Sequence, residues 1–452
     1  MKQVGGFPWW LRRLAHPLEA ARVLGPRVLP PRLRLGLLGW LGRWRPERDH
    51  QALAAVVGEW QAAIEDALPR PLRPAVLWLE PGDGAGPAPQ WLAALVAAGW
   101  RAVRGRAAEA EDADTAERAS QDSPPLEIRL PVGAAPRALD ADQLERAFQT
   151  VSALRRAERL REAVVVWAGE AWQPLAARLA RAHGWRTTSS GAVAAAADPQ
   201  AALAALAPLV SILVVSHHNP AVTRLCLDSV HAWTEYPRYE VIVVDNGSDA
   251  DTLRVLAEAQ QQRRELRVIA NPDNRGFAAA CNQAAAEARG EVLCFLNNDT
   301  VVAPGWLSVL VAALEGDPGL GLVGPVSNAV ANEARVRTGY GSLDEMLTWA
   351  EAEVWGHDGR WFGLPMLALF CTAIRRQVWQ EVGGLDQAFG LGMFEDDDFS
   401  RRLRRAGYRL ACRRDSFVHH WQQASFQLLD RDQYLALYER NRRYFREKWG
   451  RP

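Results

Sequence analysis

Between residues 208 and 328 short apolar runs alternate with amphipathic stretches. VSILVVSHHN (210–219), YEVIVVDNGSD (239–249), LRVIANPDN (266–274), EVLCFLNND (291–299) and LGLVGPVSN (320–328) each open on aliphatic residues and close on polar ones. The text between them (219–230, 250–262, 276–290 and 304–316) carries helical periodicity. Apolar runs of strand length alternating with helices predict a mostly parallel sheet covered on both faces.

Upstream the pattern is looser. LRPAVLWLE (72–80) and EAVVVWAGE (162–170) read as strands, and 90–100 and 171–185 as helices. The Ala-, charge- and Pro-rich piece 104–125 reads as a loop or linker. Downstream, 329–366 has weak periodicity and reads as a long loop with short helices, the kind of segment that covers an acceptor. The division this suggests is a helical arm over 1–69, a small Rossmann-like α/β domain over 70–207, and a larger α/β domain over 208–452.

Composition changes the picture only at the arm. Its first 48 residues hold ten lysines and arginines against Glu19 and Glu47, interleaved with Trp9, Trp10, Trp40 and Trp44. Basic charge among aromatics suits a helix lying on a membrane surface; an arm packed on the body of the protein is the other reading. Across all 452 residues the net charge is zero, so nothing points to nucleic acid as partner. Cys226, Cys281, Cys294, Cys371 and Cys412 show no zinc-ligand spacing and read as reduced residues of a cytoplasmic protein. No apolar run reaches the roughly 18 residues of a membrane span.

Ligands of open parallel sheets bind beyond the carboxyl ends of the strands. Those ends here carry Ser216, Asp245 and the run Asn297–Asn298–Asp299. A carboxylate at Asp299 can ligate Mg²⁺ or Mn²⁺, hard ions that commonly keep substrate phosphates in their shell. Arg275, in the loop before the third helix, can meet phosphate.

The stretch FEDDDFSRRLRRAGY (394–408) sets four acids beside an apolar wall. On a helix, Phe399, Leu403 and Ala406 form a buried stripe, and Asp396 extends it backwards. Asp397 and Asp398 have Arg401 and Arg402 at i+4, ordinary helix support. An inward carboxylate needs a partner or a task.

In order and spacing, VSILVVSHHN, VVDNGSD, NRGFAAACN, FLNND, GGLDQAFG, FEDDDFSRRLRRAGY and FVHHW resemble the family 2 glycosyltransferases of GT-A fold, over residues 208 to about 450. The likeness is to the non-processive, rhamnosyltransferase-like, O-antigen-type branch, and the Gln-x-x-Arg-Trp signature of processive synthases is absent. The resemblance implies an inverting, metal-dependent enzyme that moves a sugar from a nucleotide-sugar donor to a glycan or lipid-linked acceptor at the inner face of the cell membrane. It implies Asp396, paired with Glu395, as catalytic base, and Ser216, Asp245, Arg275 and Asn298 on the nucleotide. It assigns Asp299, with His420 or His419, to a divalent metal. Asp398 and Trp421 are the acceptor-side candidates. The metal motif reads Asn-Asn-Asp where the family has more acids, which leaves open a degenerate, non-catalytic glycan-binding or assembly subunit.

Overall fold

The computed structural model describes residues 56–65, 75–80, 89–97, 101–108, 126–131, 139–157, 163–168, 170–183, 185–421 and 431–450. The basic-aromatic arm up to residue 55, and with it the membrane-surface reading, lies outside the described residues, as does 109–125.

Apolar residues at consecutive positions send side chains to both faces of a strand, and the first sheet is built that way. It comprises β1 (Ala75–Glu80), β2 (Arg101–Ala108), β3 (Leu126–Pro131), β4 (Ala163–Trp167) and β5 (Arg186–Ser189) in the order β3-β2-β1-β4-β5. Every pairing is parallel. Leu77, Leu79 and Val165 pack on one face with Val151 and Leu175 of the helices Ala141–Ala157 and Gln173–His183. Val76, Trp78 and Val164 pack on the other with Leu92 and Leu95 of the helix Gln90–Ala97. Residues 104–108, expected as linker, form the second half of β2. Arg-Gly-Arg-Ala-Ala carries no strand pattern; pairing with β1 on one side and β3 on the other makes it a strand.

The second sheet comprises β6 (Val210–Ser216), β7 (Tyr239–Asn246), β8 (Leu266–Asn271), β9 (Val292–Asn297), β10 (Thr300–Val302), β11 (Leu320–Val326), β12 (Trp361–Gly363), β13 (Cys371–Arg375) and β14 (Arg409–His420). Its order is β10-β14-β11-β13-β9-β6-β7-β8, with β12 beside β14. The run β9-β6-β7-β8 is parallel, as the alternation requires. β13 lies antiparallel between β9 and β11, so β11 runs parallel to β9 without touching it. β14 pairs parallel with β11 and therefore ends at the same edge as β9. The helices Pro220–Trp233, Ala250–Gln262, Phe277–Glu287 and Trp306–Gly316 enclose a continuous core with this sheet.

Within 329–366, read as a long loop with short helices, Leu343–Gly356 is a helix of 14 residues. Ser342 accepts the Glu345 N–H at its start, a side-chain cap of the usual kind. The helix 56–65 packs Val57, Trp60 and Ile64 into the second core, and Gln61 bonds Asp228. All five cysteines are buried thiols. No described helix is long and apolar enough to cross a membrane.

Candidate active site

The parallel register places the strand ends side by side: Ser216 opposite Asp245, Asn246 opposite Asn271, and Val215 opposite Asn297. Asp245 is 1% exposed. Its Oδ2 accepts the Ser248 N–H at 3.0 Å, while Oδ1 has no hydrogen-bond partner in the protein. A buried carboxylate oxygen left open is a ready acceptor for a ligand N–H. Ser216 is fully buried, its hydroxyl 3.5 Å from Thr223 Oγ1. Asn298 Nδ2 donates to the same Thr223 oxygen at 2.9 Å. Ser216 and Asn298 thus brace the β6 and β9 ends through Thr223. Arg275 is exposed, and its backbone N–H donates to Asn246 Oδ1 at 3.1 Å.

Asn246 was not singled out from the sequence, yet it organises this edge. Its Nδ2 donates to Asn274 Oδ1 at 2.8 Å, and its Oδ1 also accepts from Asn271. Its partners lie 25 to 30 residues away, so the only sequence signal was its place at a strand end.

Asp299 and His420 meet because β10 follows Asp299 directly and pairs Thr300 with His420. His420 Nε2 lies 3.2 Å from Asp299 Oδ1, and Nδ1 lies 2.9 Å from the Ala329 carbonyl. Burial opposes the charged imidazole, but the Asp299 carboxylate and the Ala329 carbonyl outweigh it and raise the pKa of His420. The Phe370 ring stacks on the imidazole at 4.9 Å. Asn328, another residue the sequence did not flag, brackets the His420 backbone, accepting its N–H at 2.8 Å and donating to its carbonyl at 3.2 Å.

His419 faces elsewhere. Its Nδ1 is hydrogen-bonded to the Tyr340 hydroxyl at 2.7 Å, and its ring lies 4.9 Å from Trp60 and 4.5 Å from Trp421. Burial, then His420, holds its pKa down at about 3, so it is a neutral member of an aromatic cluster. Trp421 belongs to the same cluster, 4.9 Å from Trp60.

The donor set fits a divalent ion of the Mg²⁺ or Mn²⁺ type. Nδ1 bonded to a carbonyl leaves Nε2 as the ligating nitrogen, the usual arrangement for a metal histidine. Among the described residues no group of three His, Cys, Asp or Glu gathers for a metal. Asp299 and His420 would be two protein ligands, with substrate phosphates and water completing the shell.

The acid run forms the first turn of the helix Glu395–Arg405. Glu395 and Asp396 are buried, Asp398 is completely buried, and Asp397 is the least enclosed of the four. Asp396 Oδ1 accepts the Asp397 N–H at 2.9 Å. Phe399 and Leu403 are buried as the stripe requires, whereas Ala406 is exposed, because the helix ends at Arg405. Asp398 departs furthest from the sequence reading. It accepts from Arg402 Nε at 2.9 Å, Trp449 Nε1 at 2.8 Å and Lys448 Nζ at 2.7 Å. The helical phase considered only the sheet, but the helix Arg431–Trp449 covers this side and turns Asp398 into a buried anchor.

The approach to this helix is strained. Gly390, Gly392, Met393 and Phe394 have φ of 68°, 147°, 75° and 73°. For Met393 and Phe394 the left-handed region costs about 1–2 kcal/mol each. The same loop meets the donor edge: Phe277 N–H donates to the Leu391 carbonyl at 3.4 Å. A Cβ on Gly276 would lie 2.1 Å from the Gly390 carbonyl oxygen. The acid run therefore starts against the loop that carries Asn274 and Arg275.

Residues 211–382 match the family model described as glycosyl transferase family 2. The chain carries a glycosyltransferase family 2 domain. An uncharacterized protein, y4gI, of Sinorhizobium fredii is 31% identical over 256 residues, 54% of this chain and 28% of that protein. The O-antigen biosynthesis protein RfbC of Myxococcus xanthus is 31% identical over 228 residues, 48% of this chain and 18% of that protein. The chain thus spans under a third of the length of either relative. A crystal structure of GalNAc-T7 with UDP, GalNAc and Mn²⁺ superimposes with a TM-score of 0.39 at 20% identity, covering 48% of this chain and 43% of that one. That likeness is too loose to bear on the site.

Proposed function

We propose that the chain is an inverting, metal-dependent glycosyltransferase that moves one sugar from a nucleotide-sugar to a glycan or lipid-linked acceptor in cell-surface polysaccharide biosynthesis. The observation that carries this reading is the 3.2 Å pairing of Asp299 with His420 at the carboxyl edge of the parallel strands, with the buried acid run tied to that edge through Gly276. The family 2 match, and a relative named for O-antigen biosynthesis, support the class of reaction and the setting. Work at the inner face of the membrane, as a cytoplasmic peripheral protein, rests on the basic-aromatic arm alone.

Asp245 accepts an N–H of the nucleotide base, and Arg275 reaches a phosphate. Asp299 and His420 hold the divalent ion, which supplies positive charge to the nucleotide diphosphate. Asp396, enclosed beside Glu395, takes the proton from the acceptor hydroxyl. The acceptor oxygen bonds to the anomeric carbon from the face opposite the diphosphate, and the bond to the diphosphate oxygen breaks. One displacement inverts the configuration.

The test is calorimetric titration of UDP, GDP and dTDP with and without Mn²⁺, beside turnover of Asp396→Asn. The expected result is Mn²⁺-dependent binding of one nucleotide, retained in the variant while turnover collapses. Nucleotide binding without turnover in the native chain on any tested acceptor, or a fully active variant, goes against the base; no nucleotide binding at all favours the glycan-binding or assembly subunit.

A further inference from the structure

The function proposed above requires the acid run to hold one position. Within its helix Asp398 is tied to Arg402, but the turn that leads into Glu395 is held from outside. Phe394 precedes the first turn and offers no side-chain cap. The four residues of positive φ before Glu395 set the direction of the helix, so whatever fixes that loop fixes Asp396. The loop's polar partner is a side chain 48 to 52 residues further on.

We propose that Asn441, on the helix Arg431–Trp449, is the positioning residue of the catalytic acid. It is fully buried. Its Nδ2 shares two N–H groups among three carbonyls of the loop, Phe389 at 2.7 Å, Gly392 at 2.7 Å and the more distant Met393 at 3.2 Å. Its Oδ1 accepts from Arg440 Nε at 2.9 Å, and Arg440 Nη2 donates to the Phe389 carbonyl as well. Tyr438 and Phe445, at i−3 and i+4 from Asn441, share its helix face and hold the Phe394 ring at 5.5 and 5.6 Å. One helix face thus grips both the carbonyls and the side chain of the strained segment.

The chemistry of the amide matters. Carbonyls in a left-handed segment diverge from regular hydrogen bonding and need donors from elsewhere. A lysine or arginine in place of Asn441 would bring a second full charge next to that of Arg440, which already donates to the Phe389 carbonyl. An aspartate would face three carbonyls with no proton to give. The neutral amide donates without altering the charge of the site.

The experiment compares Asn441→Leu, which keeps the volume and removes the donor, with Asn441→Gln, which keeps the donor on a longer stem. Steady-state kinetics are run on the full chain well below its melting temperature, with folded fraction checked by circular dichroism. The expected result for Asn441→Leu is a fall in kcat on the order of 100-fold, the scale of a 1 Å misplacement. The donor KM and Mn²⁺-dependent nucleotide binding stay within about threefold, and Asn441→Gln recovers part of the loss. Should Asn441→Leu not fold, Asn441→Ser, with one donor on a smaller side chain, carries the same comparison. Unchanged kcat, or a donor KM that rises as kcat falls, overturns the assignment. The inference rests on Asp396 as base, so Asp396→Asn is measured in parallel. An active Asp396→Asn refutes the base reading; an inactive one beside an active Asn441→Leu refutes the positioning role alone.

Discussion

At the scale of single residues, the site divides into groups that face a ligand and groups that hold others in place. Asp245 Oδ1 is open, whereas Ser216 and Asn298 are bonded inward through Thr223. Loss of Asp396, the proposed base, is expected to cost about 10²–10⁴-fold in turnover, the usual contribution of general base catalysis, measured as Asp396→Asn with nucleotide binding as control. His420→Ala removes the one imidazole beside Asp299. It is expected to weaken Mn²⁺-dependent nucleotide binding at least tenfold in calorimetric titration, while His419→Ala perturbs stability through the aromatic cluster and leaves metal dependence in place. The two histidines were indistinguishable in the sequence because adjacent positions on a strand take opposite faces. Which face was which depended on β10 and Tyr340, partners 79 or more residues away.

At the scale of elements, the runs that became β6, β7, β8, β9 and β11 were legible because each is an aliphatic strand ending in polar residues. β13 was not, since CTAIR is short and its place between β9 and β11 is decided by pairing, not by pattern. Short helices were expected over 329–366 but not placed; Ser342 with Glu345 at N3, followed by Leu343, Met346, Ala350 and Val354 at helical spacing, marks where Leu343–Gly356 starts and which face it buries. Asp398 was read as helix support, and its pair with Arg402 is present; its bonds to Trp449 and Lys448 went unread because the covering helix could not be seen from the acid run itself. The clamp between these two helices has a pH dependence. Burial works against the Asp386 carboxylate, but hydrogen bonds from Lys448, the Ala388 N–H and Tyr444 outweigh it and hold its pKa below the usual range. A depressed pKa contributes stability above the unfolded value, about 3.9, that is lost as pH falls through the folded one. Hydrogen exchange is therefore expected to show the helix Arg431–Trp449 loosening ahead of the sheet below about pH 4. Asp386→Asn should remove that step.

At the scale of the molecule, two sheets with separate cores are joined along one chain, and the helix 56–65 belongs to the second core although it precedes the first sheet in sequence. Trp60 sits at 2% exposure against His419 and Trp421. Trp60→Ala is expected to cost about 3–5 kcal/mol in denaturant unfolding, the range for emptying a buried tryptophan site. A chain begun after residue 70 should show a similar loss in the second sheet. Further contacts join the halves, among them Arg155 with Asp358 at 2.6 Å. The contact between Gly276 and the Gly390 carbonyl has a different kind of consequence. Main chain meets main chain there, with no side chain between the donor loop and the loop that carries the acids. The spacing of the two loops is therefore set by the backbone itself. A side chain larger than hydrogen at position 276 would have to push the loops apart, so the distance between Arg275 and the acid run is fixed by a glycine that touches neither of them through a side chain.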